Sequence, residues 1–67
     1  MASNYEAWVM MDTENGVISE EYDTPEEVLA EMQKKYTIEE MHKNGFTLNK
    51  LLCSDEQWLE CLDEIEY

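Results

Sequence analysis

The sequence predicts an α+β fold: an N-terminal β-hairpin followed by two or three short helices, in one small domain over residues 1–67. Three observations predict it. Asn15-Gly16 sits between two runs of alternating residues, and Asn-Gly is the strongest short hairpin signal because both turn residues need φ > 0. Pro25 follows Asp23-Thr24 and precedes Glu26-Glu27, which is the composition of a helix start. Thr37 with Glu40, and Ser54 with Gln57, have the spacing of a capping box.

The hairpin is expected over residues 4–23. A two-residue loop sets Thr13 opposite Ile18, Met11 opposite Glu20 and Val9 opposite Tyr22. Tyr5, Ala7, Val9, Met11, Ile18 and Tyr22 then share the core face, with Glu20 as a misfit. The opposite face carries Glu6, Trp8, Met10, Asp12, Glu14, Glu21 and Asp23. In the first helix, capped by Asp23 or Thr24, the residues Val28, Leu29, Met32 and Tyr36 recur at helical spacing. A short second helix starts at Thr37 and stops at Gly45. Residues 46–53 fit two descriptions: Leu48, Leu51 and Leu52 have helical spacing, and a short strand can begin at Phe46. Ser54 opens a last helix with Trp58, Leu59, Leu62 and Ile65 facing inward. No internal repeat and no linker interrupts the chain.

Charge is the strongest compositional feature. Among 67 residues, 17 are acidic and 4 basic, for a net charge of −13. Such a surface repels nucleic acid and anionic membrane and attracts cationic protein surfaces. Hydrophobic residues make up 43%, too many for a disordered acidic tail. No basic segment followed by an apolar run marks a secretory signal, and no apolar stretch approaches the roughly 18 residues of a membrane span. A cytoplasmic protein with reduced thiols is the expectation.

The chain offers little for catalysis. Its one histidine, His42, has no evident partner in sequence, and Cys53 and Cys61 read as small apolar core residues. Both glycines are accounted for by turns, which leaves none for a phosphate-binding loop. The stretch from Asp12 superficially matches a calcium loop. However, its glycine comes fifth where the EF-hand needs it sixth, and Asp23 stands where the twelfth-position glutamate belongs. The expectation is therefore no enzyme activity, no cofactor and no metal site.

The carboxylates carry the functional reading. Glu26, Glu27, Glu39, Glu40, Asp55 and Glu56 fall in expected first turns, where the helix dipole favours them, and Asp23 can cap. Ten remain: Glu6, Asp12, Glu14, Glu20, Glu21, Glu31, Glu60, Asp63, Glu64 and Glu66. Four of these crowd the C-terminal end of the expected last helix, where negative charge is unfavourable. Alternate strand residues lie roughly 6.6–6.8 Å apart, comparable to successive phosphates along a nucleic-acid strand. A partner-binding surface is thus expected at Glu6, Trp8, Asp12, Glu14, Glu21, Asp23, Glu60, Asp63 and Glu64. Trp8 is either an exposed anchor or part of the core.

In size, charge and lack of a catalytic motif, the chain resembles small phage-encoded inhibitors of bacterial defence and DNA-processing systems. These include DNA-mimic anti-restriction proteins, uracil-DNA glycosylase inhibitors and anti-CRISPR proteins. The resemblance is one of character over the whole chain and carries over no individual residue. It implies a non-enzymatic, stoichiometric inhibitor, of anti-CRISPR or other DNA-mimic type, acting in the host cytoplasm. Its partner would be a basic, nucleic-acid-binding protein or complex of the host. Direct nucleic-acid or membrane binding is not expected, and the protein itself would be a monomer or a dimer. The alternative is a small acidic regulatory or adaptor module that docks on a host enzyme or transcription protein without mimicking DNA.

Overall fold

The computed structural model describes residues 4–54 and 57–67, and of residues 4, 54 and 57–60 the backbone only. The chain runs β1 (Asn4–Asp12), β2 (Gly16–Val17), α1 (Pro25–Met32), α2 (Ile38–Lys43), β3 (Thr47–Ser54) and β4 (Gln57–Ile65). The four strands form one antiparallel sheet in the order β2-β1-β3-β4. This corrects the predicted hairpin with two or three helices: the fold is mostly sheet, with two short helices on it.

Both helices begin and end where their local chemistry dictates. Thr24 caps α1 by accepting from the Glu27 amide, with Pro25 in the first turn. Thr37 and Glu40 close a full capping box on α2, and Gly45 at φ 77° takes the chain out of it. Val28 and Met32 of α1 and Met41 of α2 meet Met10 of β1 and Leu48 of β3 in one buried cluster. Burying each such side chain contributes roughly 1.5–3 kcal/mol. Trp8, Ile18, Tyr22, Leu29, Tyr36, Ile38, Phe46 and Tyr67 pack around it.

The predicted hairpin register is wrong. Asp12 pairs with Gly16 and Met11 with Val17, so the loop is the three residues Thr13-Glu14-Asn15, with Gly16 at φ 76°. Glycine in the left-handed region at the end of such a loop is the usual three-residue solution. Pairing lapses after Val17 and resumes as a single bridge between Trp8 and Tyr22. The slip changes which face meets the helices. Met10 and Trp8, placed by alternation on the face opposite the expected core, lie on the helix side, and Tyr5, expected in the core, is exposed. Ala7 and Val9 are buried as well, together with Leu51 and Cys53. By strand alternation these four stand on the sheet face opposite the helices, since Ala7 pairs with Leu51 and Tyr5 with Cys53.

Residues 46–53 resolve as strand β3, and the expected last helix is strand β4. The reason for the error lies in two β-bulges. Lys50 pairs with Asp63 but Leu51 with Cys61, and Leu52 pairs with Glu60 but Cys53 with Trp58. Leu62 and Leu59 are therefore the extra residues of the bulges. Their insertion converts a period of two into the 58, 59, 62, 65 spacing of a helix. Ser54 and Gln57, whose spacing suggested a capping box, pair with each other across the β3–β4 connection, and residues 55–56 between them lie outside the described part. Among the described residues no helix is long and apolar enough to cross a membrane.

Candidate functional site: the acidic sheet edges

Two groups of exposed carboxylates stand at the edges of the sheet, Glu20, Glu21 and Asp23 on one side and Asp63, Glu64 and Glu66 on the other. One edge is the stretch from Ile18 to Asp23 beside β1. Where strand pairing lapses, the Ser19 hydroxyl accepts from the Met10 amide at 2.8 Å and donates to the Glu20 carbonyl at 3.0 Å. That substitution of a side chain for a ladder bond lets the chain bulge away and presents Glu20, Glu21 and Asp23 to solvent. Tyr22 then returns to β1, exchanging two backbone hydrogen bonds with Trp8 at 2.7 and 3.0 Å.

Tyr5 completes this edge. It is 45% exposed, and its hydroxyl donates to the Glu21 carboxylate at 2.9 Å. That hydrogen bond, with desolvation and the charge of Glu21 adding to it, pushes the phenol pKa up to about 12. Tyr5 is thus a neutral donor at any physiological pH. With Ala7, Val17, Ser19, Glu21 and Asp23 it lines an open concavity of about 590 Å³. Apart from Tyr5, Tyr22 and Ser19, this concavity offers carboxylates and aliphatic surface, a chemistry suited to cationic groups.

Other predicted binding residues have local duties. Asp12 accepts from the Asn15 side-chain amide at 2.7 Å and from the Glu14 amide at 3.5 Å, which fastens the turn; Glu14 itself is exposed. Glu6 reaches the Lys50 ammonium at 3.8 Å, and that ammonium lies 5.9 Å from the centre of the Trp8 ring. Trp8 is half-buried and packs against the helix-side cluster, so its ring is not a free anchor.

The second edge is β4. The helix-dipole reason for singling out its carboxylates falls with the helix, because strand dipoles nearly cancel. What remains is their placement. Asp63 accepts from the Glu64 amide at 2.9 Å, and Glu64 accepts at 3.5 Å from Asn49, a buried residue whose amide also lies 3.1 Å from the Cys61 sulfur. Asp63, Glu64 and Glu66 are exposed. Glu60 sits opposite Leu52 in the register, and its side chain lies outside the described part. Leu62 and Ile65, expected inward, are 38% and 37% exposed. Three strand spacings separate the two edges, about 14 Å.

Positive charge does little to offset this surface. Among the described residues two ion pairs form, Lys34 with Glu31 at 3.0 Å and Lys50 with Glu6. His42 is exposed, its Nε2 lying 2.7 Å from the Tyr67 carbonyl oxygen. Cys53 is buried, which raises its thiol pKa, and Cys61 is exposed. Among the described residues no three His, Cys, Asp or Glu side chains come together to hold a metal ion.

Of the expected binding residues, Glu6, Glu14, Glu21, Asp23, Asp63 and Glu64 are exposed and Trp8 and Asp12 are partly buried, while Tyr5 and Glu20 are exposed members of the edge that the sequence reading missed. Glu20 was the available signal: a carboxylate assigned to a core face points to a register error. No protein-family model, curated protein or solved structure matches the chain.

Proposed function

We propose that this protein is a non-enzymatic, stoichiometric inhibitor that binds a basic, nucleic-acid-binding surface of a host protein, in the manner of anti-CRISPR or other DNA-mimic anti-defence proteins. The observation that carries the proposal is the uncompensated charge, −13 over 67 residues, with exposed carboxylates grouped at both edges of the sheet. A net charge of magnitude about 2–8 suffices to keep a small domain soluble. The excess costs stability through self-repulsion and is accounted for by a cationic partner. The experiment is capture from bacterial lysate on the immobilised protein, followed by elution with duplex DNA. Retained proteins should bind nucleic acid and be displaced by DNA, and Glu20→Lys/Glu66→Lys protein, with charge reversed at both edges, should retain them poorly.

Tyr5, Leu62 and Ile65 favour a second reading, because they are large apolar side chains left in solvent. An adaptor that docks through them on a host enzyme or transcription protein would hold its partner in the presence of saturating DNA.

A further inference from the structure

The outer side of β4 is an open sheet edge. β4 ends the strand order, and among the described residues no strand pairs with its outer side. The strand is nine residues long, against the usual five or six. A long open edge presents a row of backbone donors and acceptors to any strand that can lie beside it, and natural proteins protect such edges with lysine, proline, bulges or a covering element. Here residues 51–67 contain neither lysine, arginine nor proline. Two bulges remain, and with them a run of carboxylates at Glu60, Asp63, Glu64 and Glu66.

This protection is selective. A second copy of β4 would bring like charges beside one another, which is unfavourable across a strand pair. An acidic or neutral strand gains little. A basic strand meets the same carboxylates as attraction, while its backbone completes the ladder. Leu62 and Ile65, exposed on this strand, give its apolar side chains something to cover.

We infer that β4 is the docking edge and that its occupant is an extended, lysine- or arginine-rich segment of the partner protein, added to the sheet as a fifth strand beside β4. Backbone hydrogen bonds would supply affinity, and the charged side chains would set which segments are accepted. The inference rests on the proposed reading that the partner is basic, and specifies how the contact is made.

The test uses a capped nonapeptide alternating lysine with valine, and the same peptide N-methylated at every residue. The second keeps all the charge and loses every backbone donor. Binding of each to the full chain is titrated at low salt, and amide hydrogen exchange is followed with each peptide present. The unmethylated peptide should bind at least about tenfold more tightly, since several backbone hydrogen bonds depend on its donors. It should also slow exchange selectively within residues 57–65. Equal binding of the two peptides, or protection confined to other segments, overturns strand addition while leaving the basic-partner reading in place. Failure of both peptides to bind at low salt overturns both.

Discussion

The Tyr67 hydroxyl donates to the Phe46 carbonyl at 2.6 Å, joining the second residue past β4 to the loop that follows α2. The Tyr67 ring also lies against His42, with centroids 4.6 Å apart. This clasp ties the edge strand to the helical layer through something other than the β3 ladder. In Tyr67→Phe the hydroxyl is gone and the half-buried Phe46 carbonyl loses its partner. The expected loss of stability is about 1 kcal/mol. Urea denaturation should show a lower midpoint with an unchanged slope. His42→Ala leaves the hydroxyl bond in place and should cost less. A Tyr67→Phe protein that melts with the parent would show that the hydroxyl bond contributes nothing.

Tyr5 should ionise late, and Glu21 is the reason. Its pKa of about 12 lies above the ordinary tyrosine value, so the stabilisation from the neutral phenol is fully present below about pH 10 and lost as pH rises through 12. In Glu21→Gln the acceptor remains but the negative charge does not, and the Tyr5 titration should move back toward 10. Phenolate absorbance, parent against variant, reads this directly. Superimposable titration curves would mean that the charge of Glu21 adds nothing to its hydrogen bond in holding the phenol neutral.

The two thiols should separate cleanly. Cys61 is exposed on β4, whereas Cys53 is buried on β3 and its pKa is raised by that burial. Since the thiolate is the nucleophile, iodoacetamide should modify Cys61 first and Cys53 only as the domain unfolds. Mass mapping of the alkylated peptides over time is the measurement. Equal rates at the two positions in native buffer would contradict the burial of Cys53.

Local signals in this sequence proved more legible than its long-range pairing. Thr24-Pro25 and the Thr37–Glu40 box each involve residues within one turn, and both helices start where those residues predict. The strands depend on register, which a single inserted residue reverses. The Asn15-Gly16 signal marked the turn correctly, but Gly16 opens β2 after a three-residue loop instead of standing second in a two-residue one, and that one-residue slip moves Ile18 and Tyr22 from the face of Val9 to that of Met10 and Trp8. In β4, the bulge residues Leu59 and Leu62 imitate helical periodicity, a pattern that local propensity cannot distinguish from a real helix. The candidate site suffered less, because exposed carboxylates such as Glu21 and Asp63 stay on the surface of either fold.

Met10 tests which face of β1 the helices cover. Sequence alternation puts it on the face opposite the expected core, whereas in the structure it is fully buried among Val28, Met32, Met41 and Leu48. Met10→Ala should therefore cost about 2–5 kcal/mol, a large part of what a domain this small possesses. A surface methionine would change stability by no more than about 0.5 kcal/mol. Thermal or urea unfolding of the variant is the measurement, and a parent-like melt would contradict the burial of Met10 beneath the helices.

Salt should act in opposite directions on folding and on binding. In the free protein, Glu20, Glu21 and Asp23 crowd one edge, and Asp63, Glu64 and Glu66 the other. The ion pairs Lys34–Glu31 and Lys50–Glu6 are surface contacts worth at most about 1 kcal/mol each, so their screening costs little. Screening of the repulsions extends to everything beyond about 8–10 Å near physiological ionic strength, which includes the two edges acting on each other. The melting temperature of the free domain should rise from low to moderate salt. A complex with a cationic partner loses attraction to the same ions, so its affinity should fall steeply, chiefly through slower association. Competing duplex DNA should displace the protein at every salt concentration at which the partner binds DNA. The measurements are a thermal melt of the free protein and a binding titration with the captured partner, each across a salt series. A melting temperature that falls with salt would mean that self-repulsion is not the dominant charge effect in this fold. Binding indifferent to salt and undisturbed by saturating DNA would remove the mimic and leave an adaptor held through Tyr5, Leu62 and Ile65.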